Sequence, residues 1–90
     1  MKVKASFKVL NEKGLHTRPS TELVKCASTF NAKIMLKCRN FVVNAKSLLG
    51  ILMLAATKGT KITIEAEGID AQQAIDSLLQ LANNKFNIRY

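Results

Sequence analysis

Lys33-Ile34-Met35-Leu36-Lys37-Cys38-Arg39-Asn40-Phe41-Val42-Val43-Asn44 is the stretch whose pattern decides the fold class. From Lys33 to Cys38 the chain alternates, with Ile34, Leu36 and Cys38 on one side. That is the period of a strand with one buried face. Arg39-Asn40 reads as a two-residue turn, with Asn40 tolerating positive φ. Phe41 to Asn44 returns as a second short strand. The pair forms a hairpin, so the sheet that contains it is at least partly antiparallel.

The same periods continue outward. Lys2 to Val9 alternates strictly, with Val3, Ala5, Phe7 and Val9 on one side and Lys2, Lys4, Ser6 and Lys8 on the other. Asn11-Glu12-Lys13-Gly14 is a loop. Thr17 to Phe30 switches to helical spacing through Leu23, Cys26, Ala27 and Phe30. Thr17 is read as its N-cap, and Pro19 fits the first turn, where amides lack intrahelical acceptors. Beyond the hairpin, Ser47 is expected to cap a second helix running to about Thr57, with Gly59 at the C′ position. Lys61 to Glu67 is a fourth strand with Ile62, Ile64 and Ala66 inward. Asp70 and Gln73 have capping-box spacing. Ala71, Ala74, Ile75, Leu78 and Ala82 form the inward stripe of a third helix.

The order is βαββαβα. Four strands with one apolar face each, and helices to cover them, predict an α+β open-faced sandwich. The uncovered face is expected to carry Lys2, Lys4, Lys8, Lys33, Lys37 and Lys61. The pattern alone leaves the strand order open.

Ninety residues suit a single domain, 1–90, with one core. Hydrophobic residues make up 48% and charged residues 22%, which excludes a disordered chain. No apolar run nears the roughly 20 residues of a membrane helix, and the first residues lack the apolar stretch of a signal peptide. A cytoplasmic protein without membrane insertion is expected. Cys26 and Cys38 fall at apolar positions and read as small buried hydrophobes rather than a disulfide or metal site. The net charge of +8 predicts acidic partners without choosing among them.

Gly14-Leu15-His16-Thr17-Arg18-Pro19-Ser20 carries the chemistry. It places the one histidine of the chain at a loop-to-helix junction. A helix start offers free N–H groups and a positive dipole end, so it attracts anions. The same field favours a neutral imidazole, whose lone pair can attack phosphorus. Arg18 adds a guanidinium fork matched to phosphate oxygens. Taken singly, His16 could be a polar loop residue and Arg18 a solvated side chain; the combination points to phosphoryl chemistry.

The stretch from Gly14 to Ser20 closely resembles the active-site motif of the HPr family, the histidine phosphocarriers of the bacterial phosphotransferase system, usually Gly-(Ile/Leu)-His-Ala-Arg-Pro-Ala. Lys46-Ser47-Leu48-Leu49-Gly50 resembles the family's regulatory-serine segment, and Lys58-Gly59-Thr60-Lys61-Ile62-Thr63-Ile64 resembles its entry to the fourth strand. The matches keep the family's order and spacing over essentially the whole chain. The resemblance implies an antiparallel sheet of order 1-4-2-3. It implies a carrier rather than an enzyme, with no cofactor and no metal. Enzyme I, charged by phosphoenolpyruvate, would phosphorylate Nδ1 of His16. Arg18, Thr17 and the helix amides would hold the transferring group, which would pass to a histidine of an enzyme IIA domain. A monomer suffices for this. Thr17 and Ser20 stand where the family usually has alanines. Lys13 stands in place of a small polar residue; its ammonium is expected to help hold the phosphate and to favour the neutral ring.

Ser47 is fully accounted for by capping. The resemblance adds phosphorylation by an HPr kinase, as in some relatives, and a phosphate at a helix start beside Lys46 would be stabilised. The second helix carries Leu48, Leu49, Ile51, Leu52, Met53 and Leu54, too many for one face. The resemblance makes Leu48, Leu49 and Leu52 an exposed docking patch, with Ile51 and Leu54 inward. Three rivals are weaker. A sheet that binds nucleic acid normally displays aromatic rings, and the outward positions of the first strand have none. A phosphatase would need a positioned water, and nothing marks Glu12, the nearest preceding carboxylate, as its base. A regulatory phosphorelay paralogue, uncoupled from sugar transport, would keep the same histidine.

Overall fold

The computed structural model describes residues 1–90. Its elements are β1 (Lys2–Lys8), α1 (Thr17–Ala27), β2 (Lys33–Cys38), β3 (Phe41–Asn44), α2 (Leu48–Met53), β4 (Lys61–Glu67) and α3 (Ala71–Asn83). A 3-10 turn, Lys85–Asn87, follows. The four strands form one sheet of order β1-β4-β2-β3. Every neighbouring pair is antiparallel, with β4 set between β1 and β2 in registers such as Ala5↔Ile64 and Leu36↔Ile64. The fold is the expected open-faced α+β sandwich, in the order the family resemblance implied.

Alternation decides which face is covered. Ile34, Leu36, Cys38, Ile62, Ile64 and Ala66 are buried against the helices. Leu23 and Ala27 of α1, Ile51 of α2, and Ala71, Ala74, Ile75, Leu78 and Ala82 of α3 meet them. Each fully buried Leu or Ile is worth roughly 1.5–3 kcal/mol relative to exposure, so the sheet–helix interface holds the domain together. On the open face, Glu65 gathers Lys37, Lys4 and Lys2 at 2.6, 3.4 and 3.7 Å. The Lys37 hydrogen bond, helped by Lys4, holds the Glu65 carboxyl below its ordinary value.

Several boundaries differ from the sequence reading. His16, not Thr17, is the N-cap of α1: its backbone is extended and its carbonyl accepts the Ser20 N–H at 3.1 Å. A Thr17 cap would need free donors at Pro19 or Ser20, and Pro19 has no N–H. The helix ends at Ala27 rather than Phe30, and the half-buried Phe30 packs from the following turn. Arg39, not Asn40, takes the positive φ of the hairpin, 56°.

The second helix stops at Met53, short of Thr57. Leu54 and Ala56 are both buried, and the Ala56 carbonyl accepts the Leu15 N–H at 2.9 Å, which an extended helix would prevent. The left-handed residue after this helix is therefore Ala55, φ 49°, while Gly59 turns separately and donates its N–H to Val9 O at 2.7 Å. No capping box forms at α3. The Asp70 carboxylate instead accepts the N–H groups of Asn31 and Ala32, both at 2.8 Å, tying the α1–β2 loop to α3. The Asn31 bond, then the Ala32 bond and the nearby Lys46 charge, lower the Asp70 carboxyl from its ordinary value.

After α3 the chain turns through three successive left-handed residues, Lys85, Phe86 and Asn87, with φ of 52°, 54° and 62°. Left-handed backbone costs an L-residue roughly 1–2 kcal/mol. The turn is held because Phe86 is buried at 1% exposure, edge-on to Phe7 with ring centroids 5.9 Å apart. The buried Asn11 side chain also donates to Lys85 O at 2.9 Å.

Candidate functional site

The loop before α1 is pinned at successive residues. Gly14 adopts φ +70° against the backbone of Ala56 and Thr57, where a Cβ would collide with the Ala56 carbonyl. Leu15 is buried, and its carbonyl accepts the Ser20 hydroxyl at 2.9 Å. The residue that replaces a usual alanine thus adds a buried bond beneath the site. With Leu15 and Ser20 locked, His16 leaves the loop half-buried at the helix start. The N–H groups of Thr17 and Arg18 have no intrahelical acceptor and form the positive end of α1.

Lys13, His16 and Arg18 come together around a residue the sequence reading left without a role, Tyr90. The Tyr90 ring stacks on the imidazole, centroids 5.5 Å apart and planes 13° from parallel. Arg18 Nη1 donates to the phenol oxygen at 2.7 Å. The Lys13 ammonium lies 4.5 Å from the Tyr90 ring centroid. Tyr90's main-chain oxygen lies 3.3 Å from His16 Nε2. Periodicity could not find this contact, because the tail after α3 has none. The Asn84-Lys85-Phe86-Asn87 run, an aromatic between two asparagines, was the available sign of a turn.

Beside the histidine is a shallow hollow whose lining includes Lys13, His16, Thr17, Leu52, Ala55 and Thr57. The second helix borders it. Ile51 and Leu54 are buried; Leu49 is 70% exposed and Leu48 sits at 36%. Leu52 is only half-buried and lines the hollow, so it is not an open surface residue. Met53, at 66% exposure, extends the apolar surface and was missed. Ser47 caps α2, its hydroxyl accepting the Gly50 N–H at 3.0 Å. Lys46 does not wait beside it: its ammonium donates to Phe30 O at 2.7 Å. Both cysteines are free thiols, and burial pushes Cys26 up from its ordinary value.

The family model described as "PTS HPr component phosphorylation site" matches residues 3–84, from β1 to just past α3. The chain belongs to the HPr family. It is 40% identical over 78 residues to the phosphocarrier protein HPr of Cupriavidus necator, covering 87% of this chain and 88% of the relative. The crystal structure of an HPr from Thermoanaerobacter tengcongensis matches with a TM-score of 0.92 at 35% identity, over 98% of this chain and 99% of that one. The Bacillus subtilis catabolite-repression HPr, described as a swapped dimer, matches with a TM-score of 0.74 at 32% identity, over 92% and 95% of the two chains. HPr proteins are phosphocarriers of the phosphotransferase system. No helix of this one is long and apolar enough to cross a membrane.

Proposed function

We propose that this chain accepts a phosphoryl group on His16 Nδ1 from phosphorylated enzyme I and donates it to enzyme IIA domains. The observation that carries the reading is a half-buried histidine at the start of α1, stacked on the Tyr90 ring that also holds Lys13 and Arg18. In the forward step the Nδ1 lone pair forms an N–P bond as the donor's phosphoramidate N–P bond breaks, returning its electron pair to the donor nitrogen. The phosphoryl charge is met by the Thr17 and Arg18 amides, the Arg18 guanidinium and the Lys13 ammonium. These groups act most strongly where charge spreads over the equatorial oxygens. Donor and acceptor proteins would dock on Leu48 and Leu49, with Leu52 beside the histidine. Ser47 would be a secondary, regulatory phosphorylation site. Its hydroxyl already lies at a helix start, where a phosphate is favoured.

The test is incubation with enzyme I and phosphoenolpyruvate, followed by intact mass. One added phosphate, lost in acid and absent from His16→Ala, is the expected result. No phosphate from an enzyme I that charges another carrier would overturn the reading.

A further inference from the structure

The strained turn at Lys85–Asn87, locked by buried Phe86, reverses the chain after α3 and returns Tyr90 to the start of α1. A packing contact would need only the ring. Tyr90 instead engages the site in three chemically different ways: a ring face on the imidazole, a phenol oxygen on Arg18, and a main-chain oxygen at Nε2. A main-chain oxygen only accepts, so this contact is a hydrogen bond in the form of the ring that carries its proton on Nε2. The lone pair of the neutral ring is then left on Nδ1. Stacking covers a face of the imidazole, whereas attack on phosphorus proceeds in the ring plane along that lone pair. The tail therefore holds the nucleophile without blocking it.

The phenol has a second effect. With Arg18 at 2.7 Å from its oxygen and the Lys13 ammonium over its ring, it holds two flexible cations next to the histidine before any anion arrives. A neutral phenol is a weaker acceptor for a guanidinium than a phosphoryl oxygen. An incoming phosphoryl group can take Arg18 over without first ordering it.

We propose that Tyr90 is a positioning residue of the His16 site: it holds the ring in the Nε2–H form with Nδ1 free, and keeps Lys13 and Arg18 gathered beside it. The transfer half of this proposal rests on the carrier reading above; the tautomer half does not. The experiment compares the natural chain with Tyr90→Phe and Tyr90→Leu. Imidazole ¹⁵N shifts and Nε2–H exchange are read in the unphosphorylated proteins, and single-turnover phosphoryl acceptance from enzyme I is read afterwards.

In Tyr90→Leu the ring stack that keeps residue 90 over the imidazole is lost, so its main-chain oxygen leaves Nε2; Nε2–H exchange is expected to quicken and acceptance to slow, each by about tenfold, the effect of one hydrogen bond of typical net strength. Tyr90→Phe is expected to restore the ring signals while acceptance stays below that of the natural chain, because Arg18 has lost its acceptor. Unchanged ring signals and rate in Tyr90→Leu would overturn the proposal, and faster acceptance would make the tail a cover instead. If no variant accepts phosphate while the ring signals still depend on Tyr90, the carrier reading fails and the tautomer assignment stands. Tyr90 is the one tyrosine in a chain without tryptophan, so its intrinsic fluorescence should also change on phosphorylation.

Discussion

Gly14 and Ala55 show how single backbone conformations place the histidine. At Gly14, φ +70° and the closeness of the Ala56 carbonyl leave no room for a Cβ. Gly14→Ala is expected to push Leu15 off its bond to Ala56, lowering both thermal stability and the rate at which His16 accepts phosphate. Equal rates in the two proteins would show that this loop does not set the site. Ala55 is the converse case, an exposed alanine at φ 49° just after α2. Ala55→Gly relieves left-handed strain at some cost in unfolded-chain entropy. Thermal melts should show a net gain of up to about 1 kcal/mol. At this scale the sequence was legible where chemistry is local: His16, Arg18 and the Ser47 cap stand where the motif put them. It was not legible where a residue's conformation depends on distant partners. Ala55 is left-handed because Leu54 and Ala56 are both claimed by the core, and Asp70 forgoes its own helix because its carboxylate is taken by the Asn31 and Ala32 amides.

At the scale of elements, strands and short helices are unequally legible in the sequence. The strands were found almost to the residue because a period of two on a one-sided sheet leaves little freedom. A helix of six residues has too few turns for its period to fix an end, so the sequence pattern overruns α2. Its inner face was nonetheless clear. Ile51 and Leu54 are buried and Leu49 is open, so Leu49→Glu should weaken binding to enzyme I, measured by titration calorimetry, and leave the melting transition in place. Loss of that transition would mean Leu49 supports the core. The tail turn has the opposite sensitivity. Phe86 offsets three left-handed residues through its burial, and Phe86→Ala should cost about 3–5 kcal/mol in denaturant unfolding. In molecules that remain folded, Tyr90 should no longer quench or shift with the His16 site. A cost near zero would mean that the turn holds without its anchor.

Charge acts over the whole molecule. The open face carries six lysines and balances them mainly through Glu65, which alone touches three. The sequence showed the lysines but not this hub, since outward residues of three strands meet only once β4 is known to lie between β1 and β2. In a chain of net charge +8, losing that carboxylate leaves its lysines to repel one another. Glu65 titrates below its ordinary value of 4.5 in the folded protein. Its stabilising effect is therefore complete above the unfolded value and is lost as pH falls through the folded one. Glu65→Gln should melt earlier than the natural chain at neutral pH, and the gap should close on acidification below pH 4.5. Added salt should narrow it as well, because exposed pairs are screened over about 8 Å at physiological ionic strength. A gap that persisted in acid would place the effect in packing rather than charge. If acid closed the gap and salt did not, the Lys37–Glu65 contact would be acting as a shielded hydrogen bond, and the remaining lysines of the face would be free to meet an acidic partner.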